Sequence, residues 1–133
     1  MTGGEIPTDI RYTKEHEWAR AAVGEVVIGI TAFAVAQLGD VTLVNLDVKV
    51  GDDVSAGKAF GTIESVKTLS DLYAPVAGKV VRVNEALASR PELVNADCYG
   101  EAWMIAIAPT DPKAIEALMD PSAYSEYVKT AEH

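Results

Sequence analysis

The stretch FGTIESVKTLSDLYAP, residues 60–75, joins two β-type runs with neither glycine nor proline between them. The runs meet at Ser65-Val66-Lys67, so the pattern predicts a tight hairpin whose tip projects one side chain into solvent. Lys67 has a long flexible stem and a primary amine, which suit it to carry a covalently attached group. From spacing alone a merely solvated lysine is the commoner outcome, because lysine is mostly exposed on protein surfaces.

Short β-type runs, punctuated by glycine and proline, dominate residues 11–108 on both sides of this hairpin. They are EVVIGI (25–30), VTLVNL (41–46), KAFGTIE (58–64), TLSDLYA (68–74), KVVRVN (79–84) and AWMIAIA (102–108). In the last run the large Trp103, Ile105 and Ile107 alternate with alanines, which predicts a strand whose large side chains face the core. A weak repeat relates residues 39–45 to residues 78–84. These patterns predict a mostly β fold, either a pseudo-symmetric sandwich or a flattened barrel.

Helical signals lie at the edges of this β pattern. A short helix is predicted from Thr31 as N-cap to Leu38, where Gly39 ends it. A C-terminal helical segment is predicted from about residue 111, because Asp111-Pro112 and Asp120-Pro121 each place an acid before a proline. Its apolar positions are Ile115 and Leu118 in a first helix, and Tyr124 with Tyr127 or Val128 in a second. Residues 1–10 are predicted to be a flexible lead-in, and residues 11–133 a single domain.

Composition limits the classes of function. The chain has 133 residues, 20 acidic and 11 basic, and a formal net charge of −9. Such a surface repels phosphate backbones and anionic lipids, so no nucleic-acid or membrane partner is expected. With one cysteine, Cys98, and two histidines, His16 and His133, the sequence allows no internal disulfide and predicts no metal cluster. The start of the chain resembles no targeting peptide, so a cytoplasmic location is expected.

The hairpin segment resembles the glycine cleavage H-protein family, whose modification segment reads close to E-S-x-K-[AST]-x-S-D-L-Y-A-P-x-x-G. This chain has ESVKTLSDLYAP at 64–75, followed by Gly78. Further landmarks follow in the order of the family, and the resemblance covers roughly residues 10–130. These landmarks are YTKEHEW (12–18), GIT (29–31), QLGD (37–40), VNEAL (83–87), PELVN (91–95) and Tyr99-Gly100. Thr68, Cys98 and Ala102 depart from the common residues, but none of them is the lysine.

The resemblance implies a mostly β lipoyl/biotinyl-type fold in which lipoic acid is attached to Lys67 by an amide. The resulting arm would reach roughly 14 Å from the Cα. It also implies three enzyme partners: a pyridoxal-phosphate glycine decarboxylase (P protein), a folate-dependent aminomethyltransferase (T protein) and a dihydrolipoyl dehydrogenase (L protein). The fourth enzyme partner that the resemblance implies is the one that attaches lipoate. The chain would shuttle an aminomethyl group as a non-catalytic carrier, because the cofactor supplies the chemistry.

Three acidic residues are candidates for docking the loaded arm, whose amine is cationic. Glu15, Glu17 and Asp71 are expected to face that amine by charge-assisted hydrogen bonds. The alternative is a solvated acidic edge beside a buried Trp18. His16 is expected to cap a turn rather than to gate the cleft. Glu64 flanks the lysine and, with Asp71, is an alternative guide for the lipoate-attaching enzyme.

Other functions remain open from the sequence. A lipoyl donor or relay to 2-oxoacid dehydrogenases would need the same attachment site. A biotinyl carrier shares the hairpin-lysine design, but such carriers typically flank the lysine with methionines, where this chain has Val66 and Thr68. A free-standing enzyme is least favoured, because the sequence offers no nucleophile–base pair, metal cluster or phosphate loop.

Overall fold

The computed structural model describes residues 10–131, which are mostly β-strand with helices at the periphery. The strands are β1 (Arg11–Tyr12), β2 (Glu17–Ala22), β3 (Glu25–Ile30), β4 (Val41–Leu46), β5 (Asp53–Val54), β6 (Ala59–Ser65), β7 (Leu69–Tyr73), β8 (Gly78–Val83) and β9 (Ile105–Pro109). The helices are α1 (Ala32–Leu38), α2 (Ala86–Ser89), α3 (Leu93–Ala96) and α4 (Pro121–Ala131), with a 3-10 turn at Ala114–Ala117.

The strands form two antiparallel sheets that share one core. One sheet has the order β1-β2-β3-β9-β8-β5, and the other has the order β4-β6-β7. Ile28 and Ile107 from the first sheet meet Val44, Ile63 and Leu72 from the second in one buried cluster. Neither sheet closes on itself, so the structure shows the sandwich rather than the barrel. The predicted mostly β fold with peripheral helices is confirmed.

The predicted runs at 25–30 and 41–46 coincide with β3 and β4, and the last strand is shorter than predicted. It begins at Ile105, and Ile105 and Ile107 are buried as expected. Trp103 precedes the strand, where its backbone N–H donates to the carbonyl of Gly100 at 3.1 Å, and its side chain is only partly buried. Its ring is covered instead by the guanidinium of Arg82, 4.8 Å from the ring centroid.

Helix α1 begins and ends where its sequence signals predict. The side chain of Thr31 accepts a hydrogen bond from the N–H of Ala34 at 3.2 Å, which makes Thr31 the N-cap. Gly39 follows the last turn with a φ of 77°, in a region that glycine enters readily. Phe33 and Leu38 are buried, so the helix packs on the sandwich through one side.

Helix α4 confirms the second of the two predicted C-terminal helices. The carboxylate of Asp120 accepts a hydrogen bond from the N–H of Ala123 at 2.8 Å, which caps the first turn. Tyr124 is buried, and its ring stacks on that of Tyr12 with centroids 4.4 Å apart. Among residues 10–131, α4 included, no helix has the length and apolar character needed to cross a bilayer.

The first predicted C-terminal helix is wrong, because the chain forms only the 3-10 turn Ala114–Ala117 there. Leu118 is extended, with φ −79° and ψ 165°. Met119 then pairs with Tyr12, and the two residues exchange backbone hydrogen bonds of 2.9 and 3.0 Å. These bonds to the strand β1 use the backbone groups that a continuing helix would need.

The boundary of the predicted lead-in is one residue too far along the chain. Ile10 is buried and packs with Tyr12, Trp18 and Tyr124 in a second apolar cluster. Burying this apolar side chain fixes the chain just before β1, so Ile10 belongs to the folded part. Residues 1–9, the rest of the predicted lead-in, lie outside the described residues.

Candidate functional site

Lys67 lies exposed in the turn that joins β6 to β7. The N–H of Ser65 donates to the carbonyl of Thr68 at 2.9 Å. The hydroxyl of Ser65 accepts from the N–H groups of Lys67 and Thr68, each at 3.2 Å. Serine can replace a backbone acceptor in this way, which explains how the turn forms without glycine or proline.

A cleft of about 200 Å³ opens beside this turn, between α1, the β6–β7 hairpin and the segment that precedes β2. Its walls combine apolar and polar side chains. The apolar ones are Ile30, Ala34, Leu38, Ile63 and Leu72, and the polar ones are Glu15, His16, Glu17, Gln37, Thr68, Ser70 and Asp71. Five apolar side chains beside seven polar ones suit a ligand that has a hydrocarbon stem and a polar head.

The structure brings four of the candidate residues together around this cleft: Glu15, His16, Glu17 and Asp71. Glu15 and Asp71 are exposed, as the alternative of a solvated acidic edge expects. The hydroxyl of Tyr73 lies 3.4 Å from a carboxylate oxygen of Asp71. Glu64 is not among the cleft residues, and lies exposed on β6.

Glu17 differs from the other two acids because its carboxyl is buried, with 2% of the residue exposed. Its Oε2 accepts from the N–H of Tyr73 at 2.9 Å, and its Oε1 accepts from the hydroxyl of Thr13 at 3.2 Å. Burial raises the pKa of Glu17 to about 8, although these two hydrogen bonds oppose the shift. The alternative of a solvated edge is therefore wrong for Glu17, while Trp18 is fully buried as expected.

His16 both lines the cleft and holds its framework. Its Nδ1 lies 2.8 Å from the hydroxyl of Tyr124, which is also 2.8 Å from the hydroxyl of Thr31. Its carbonyl accepts the N–H of Thr31 at 2.9 Å, and its φ is 68°. Burial lowers the pKa of His16, and the charge of Glu15 opposes this effect. The ring of His16 therefore has a structural contact to Tyr124, 108 positions later in the sequence, which no local pattern indicated. A structural role for His16 rather than a gating one stays a prediction.

The family model described as Glycine cleavage H-protein matches residues 10–131. The chain belongs to the glycine cleavage H-protein family. The glycine cleavage system H protein of Anaeromyxobacter sp. (strain K) is 54% identical over 128 residues, which are 96% of this chain and 99% of that relative. The glycine cleavage system H protein of Myxococcus xanthus (strain DK1622) is 49% identical over 126 residues, or 95% and 97% of the two chains.

A solved structure of the glycine cleavage H-protein family supports the same assignment. The crystal structure of a glycine cleavage system H protein from Mycobacterium marinum has a TM-score of 0.82 and 41% sequence identity, and covers 96% of this chain and 100% of that chain. The family predicted from the modification segment is confirmed, and with it a lipoyl-carrier role in glycine cleavage. Membership of this family also disfavours the biotinyl-carrier alternative.

Proposed function

We propose that Lys67 is the lysine that carries the lipoyl group. The observation behind this proposal is the position of Lys67, exposed in the hairpin turn beside a cleft that has an apolar wall and acidic residues. The match of residues 64–75 to the modification segment of the family supports it independently. Lysine suits the role because its long stem places a reactive amine away from the backbone.

The cleft residues fit an arm that is mostly hydrocarbon and becomes cationic when loaded. When attached, lipoic acid supplies a disulfide that opens to carry an aminomethyl group between enzymes. Leu38, Ile63 and Leu72 offer apolar contact along the arm, and Glu15 and Asp71 offer carboxylates to the amine. Such contacts would keep water from the loaded arm and yet stay weak enough for it to leave.

The acidic residues of the cleft are expected to slow the loss of ammonia from the loaded carrier. Glu15→Gln and Asp71→Asn should each remove a charge-assisted contact on the order of 1 kcal/mol, and so speed release roughly 5-fold. The measurement is ammonia release from purified aminomethylated protein. Glu85→Gln is the matched control, because Glu85 is exposed and is not among the cleft residues. Equal rates in both cleft variants and the control would show that Glu15 and Asp71 only face solvent.

We propose that the chain has no turnover of its own and works with four enzymes. These are the glycine decarboxylase, the aminomethyltransferase, the dihydrolipoyl dehydrogenase and a lipoate-attaching enzyme. The net charge of −9 supports partners that present basic surfaces. We also propose that residues 11–133, together with Ile10, form one carrier domain. A location in the reducing cytoplasm is proposed as well, and the single Cys98 supports it.

Glycine decarboxylation is expected to require both this chain, in its lipoylated form, and the decarboxylase. The measurement is release of labelled CO₂ from glycine with each protein alone and with both together. Lipoylated chain alone should give the buffer rate, and the unlipoylated chain should leave the decarboxylase close to its own basal rate. Glycine-dependent turnover by the isolated chain would contradict the carrier assignment.

A further inference from the structure

The side chain of Asn95 makes two hydrogen bonds to backbone groups outside its own helix. Its Nδ2 donates to the carbonyl of Gly39 and its Oδ1 accepts from the N–H of Val41, each at 2.8 Å. Asn95 lies in α3, where its neighbours Leu93 and Val94 are buried in the core. The side chain therefore ties a core-anchored helix to residues 39–41, between α1 and β4.

Gly39 has a backbone conformation that needs such support. Its φ of 77° and ψ of −149° lie in a region that is essentially restricted to glycine. Unusual conformations of this kind persist where several contacts determine them together. Here the N–H of Gly39 donates to the carbonyl of Val35 at 3.0 Å, and the carbonyl of Gly39 accepts from Nδ2 of Asn95.

The turn that contains Lys67 rests on this segment. The N–H of Val66 donates to the carbonyl of Asp40 at 3.0 Å. A Cβ placed on Gly39 would lie 3.4 Å from Cε of Lys67 and 3.8 Å from its Cδ. The outer part of the lysine stem thus lies next to Gly39, and the turn is hydrogen-bonded to the segment 39–41 through Asp40.

We propose that Asn95 is a positioning residue for Lys67, acting through residues 39–41 on the turn. The inference rests on the proposed attachment of lipoate to Lys67. Attachment by a lipoate ligase forms one amide bond between Nζ and the acyl carbon of adenylate-activated lipoate, expels AMP and releases a proton from the amine. The rate depends on how often the amine occupies the geometry of attack. By holding residues 39–41, Asn95 restricts the positions that the turn, and with it the backbone of Lys67, can occupy.

The test compares Asn95→Ala and Asn95→Asp with Asn84→Ala in the full-length chain, using a lipoate ligase with lipoate and ATP. Asn84 is the control because its side chain likewise makes two hydrogen bonds to backbone groups: its Nδ2 donates to the carbonyls of Glu101 at 2.8 Å and Trp103 at 2.7 Å. It follows β8, in the sheet that does not contain the lysine turn. Asn95→Ala should lower kcat for modification of Lys67 roughly 10-fold, with KM unchanged, and Asn84→Ala should leave kcat unchanged.

Asn95→Asp should also lower kcat, because it keeps the acceptor for Val41 and loses the donor to Gly39. Amide hydrogen exchange supplies a second readout that needs no lipoate. In Asn95→Ala the N–H of Val66 should exchange faster, while that of Val80, bonded to Asp52 at 2.8 Å, should not change. An unchanged kcat in both Asn95 variants, or an equal loss in Asn84→Ala, would overturn the inference. Failure of the wild-type chain to accept lipoate on Lys67 would instead contradict the proposed function.

Discussion

Replacing Lys67 by arginine is expected to abolish lipoyl attachment completely. The guanidinium of arginine keeps its proton at physiological pH and is a poor nucleophile, so it cannot form the amide although its charge and length are similar. The variant should fold normally, because Lys67 is exposed in its turn. The measurement is intact mass after co-expression with a lipoate ligase and free lipoate, followed by peptide mapping. Wild type should gain one lipoyl unit on Lys67, and Lys67→Arg should gain none.

Lys58→Arg is the control for this substitution. Lys58 is an exposed lysine at the other end of the same hairpin, immediately before β6. This variant should be modified as fully as wild type, since attachment depends on the turn and not on lysine content. Lipoyl found on another lysine in Lys67→Arg, or a biotin increment in the wild-type mass, would contradict the assignment of the site.

The parts of the fold that the sequence predicted are those set by local chemistry. Helix α1 is bounded by Thr31 and Gly39, and each acts within a few residues of its own position. Asp120 likewise caps α4 three residues away. Strands β3 and β4 follow from their β-branched runs and the glycines before them. Where a signal and its structural consequence are neighbours in sequence, the pattern was sufficient.

The parts that the sequence did not predict depend on contacts between distant residues. The hydroxyl of Tyr124 bonds to His16, 108 positions earlier, so no local pattern could link the helix α4 to the cleft. The pairing of Met119 with Tyr12 ended the helix predicted before it. The structure places Glu15, His16, Glu17 and Asp71 around the cleft and Glu64 outside it. No local pattern indicated that Glu17 is buried while Glu15 and Asp71 are exposed.

Glu17 shows why burial matters more than residue type at this site. Glu15 and Glu17 are two positions apart in sequence, yet Glu15 is exposed and Glu17 is buried against β7. A carboxyl held in this way favours its neutral form, because the charged form loses more hydration than two hydrogen bonds return. With a pKa of about 8, Glu17 is mostly protonated at neutral pH, so the proposed contacts with a cationic amine fall to the exposed Glu15 and Asp71.

This raised pKa links Glu17 to folding stability with a definite sign. In the unfolded chain the carboxyl titrates near its ordinary value of 4.5. Between that pH and about 8 the folded state retains a proton that the unfolded state has lost, so folding is favoured most at low pH. The contribution of Glu17 to the free energy of unfolding is therefore fully present below about pH 4.5, and is lost as pH rises through about 8.

Glu17→Gln is accordingly expected to gain stability relative to wild type as pH rises. Glutamine has nearly the same shape, can accept from the N–H of Tyr73 and can donate to the hydroxyl of Thr13, but it has no charge to bury. Between pH 5 and pH 9 the difference in the free energy of unfolding should move in favour of the variant by on the order of 4 kcal/mol. The measurement is urea unfolding at a series of pH values, followed by the fluorescence of the tryptophans and by circular dichroism.

Glu64→Gln, which removes an exposed carboxylate from β6, should leave the pH dependence of wild type unchanged. Parallel stability curves for wild type and Glu17→Gln from pH 5 to pH 9 would show that Glu17 is already charged at neutral pH, and would make it a third carboxylate available to a cationic amine in the cleft.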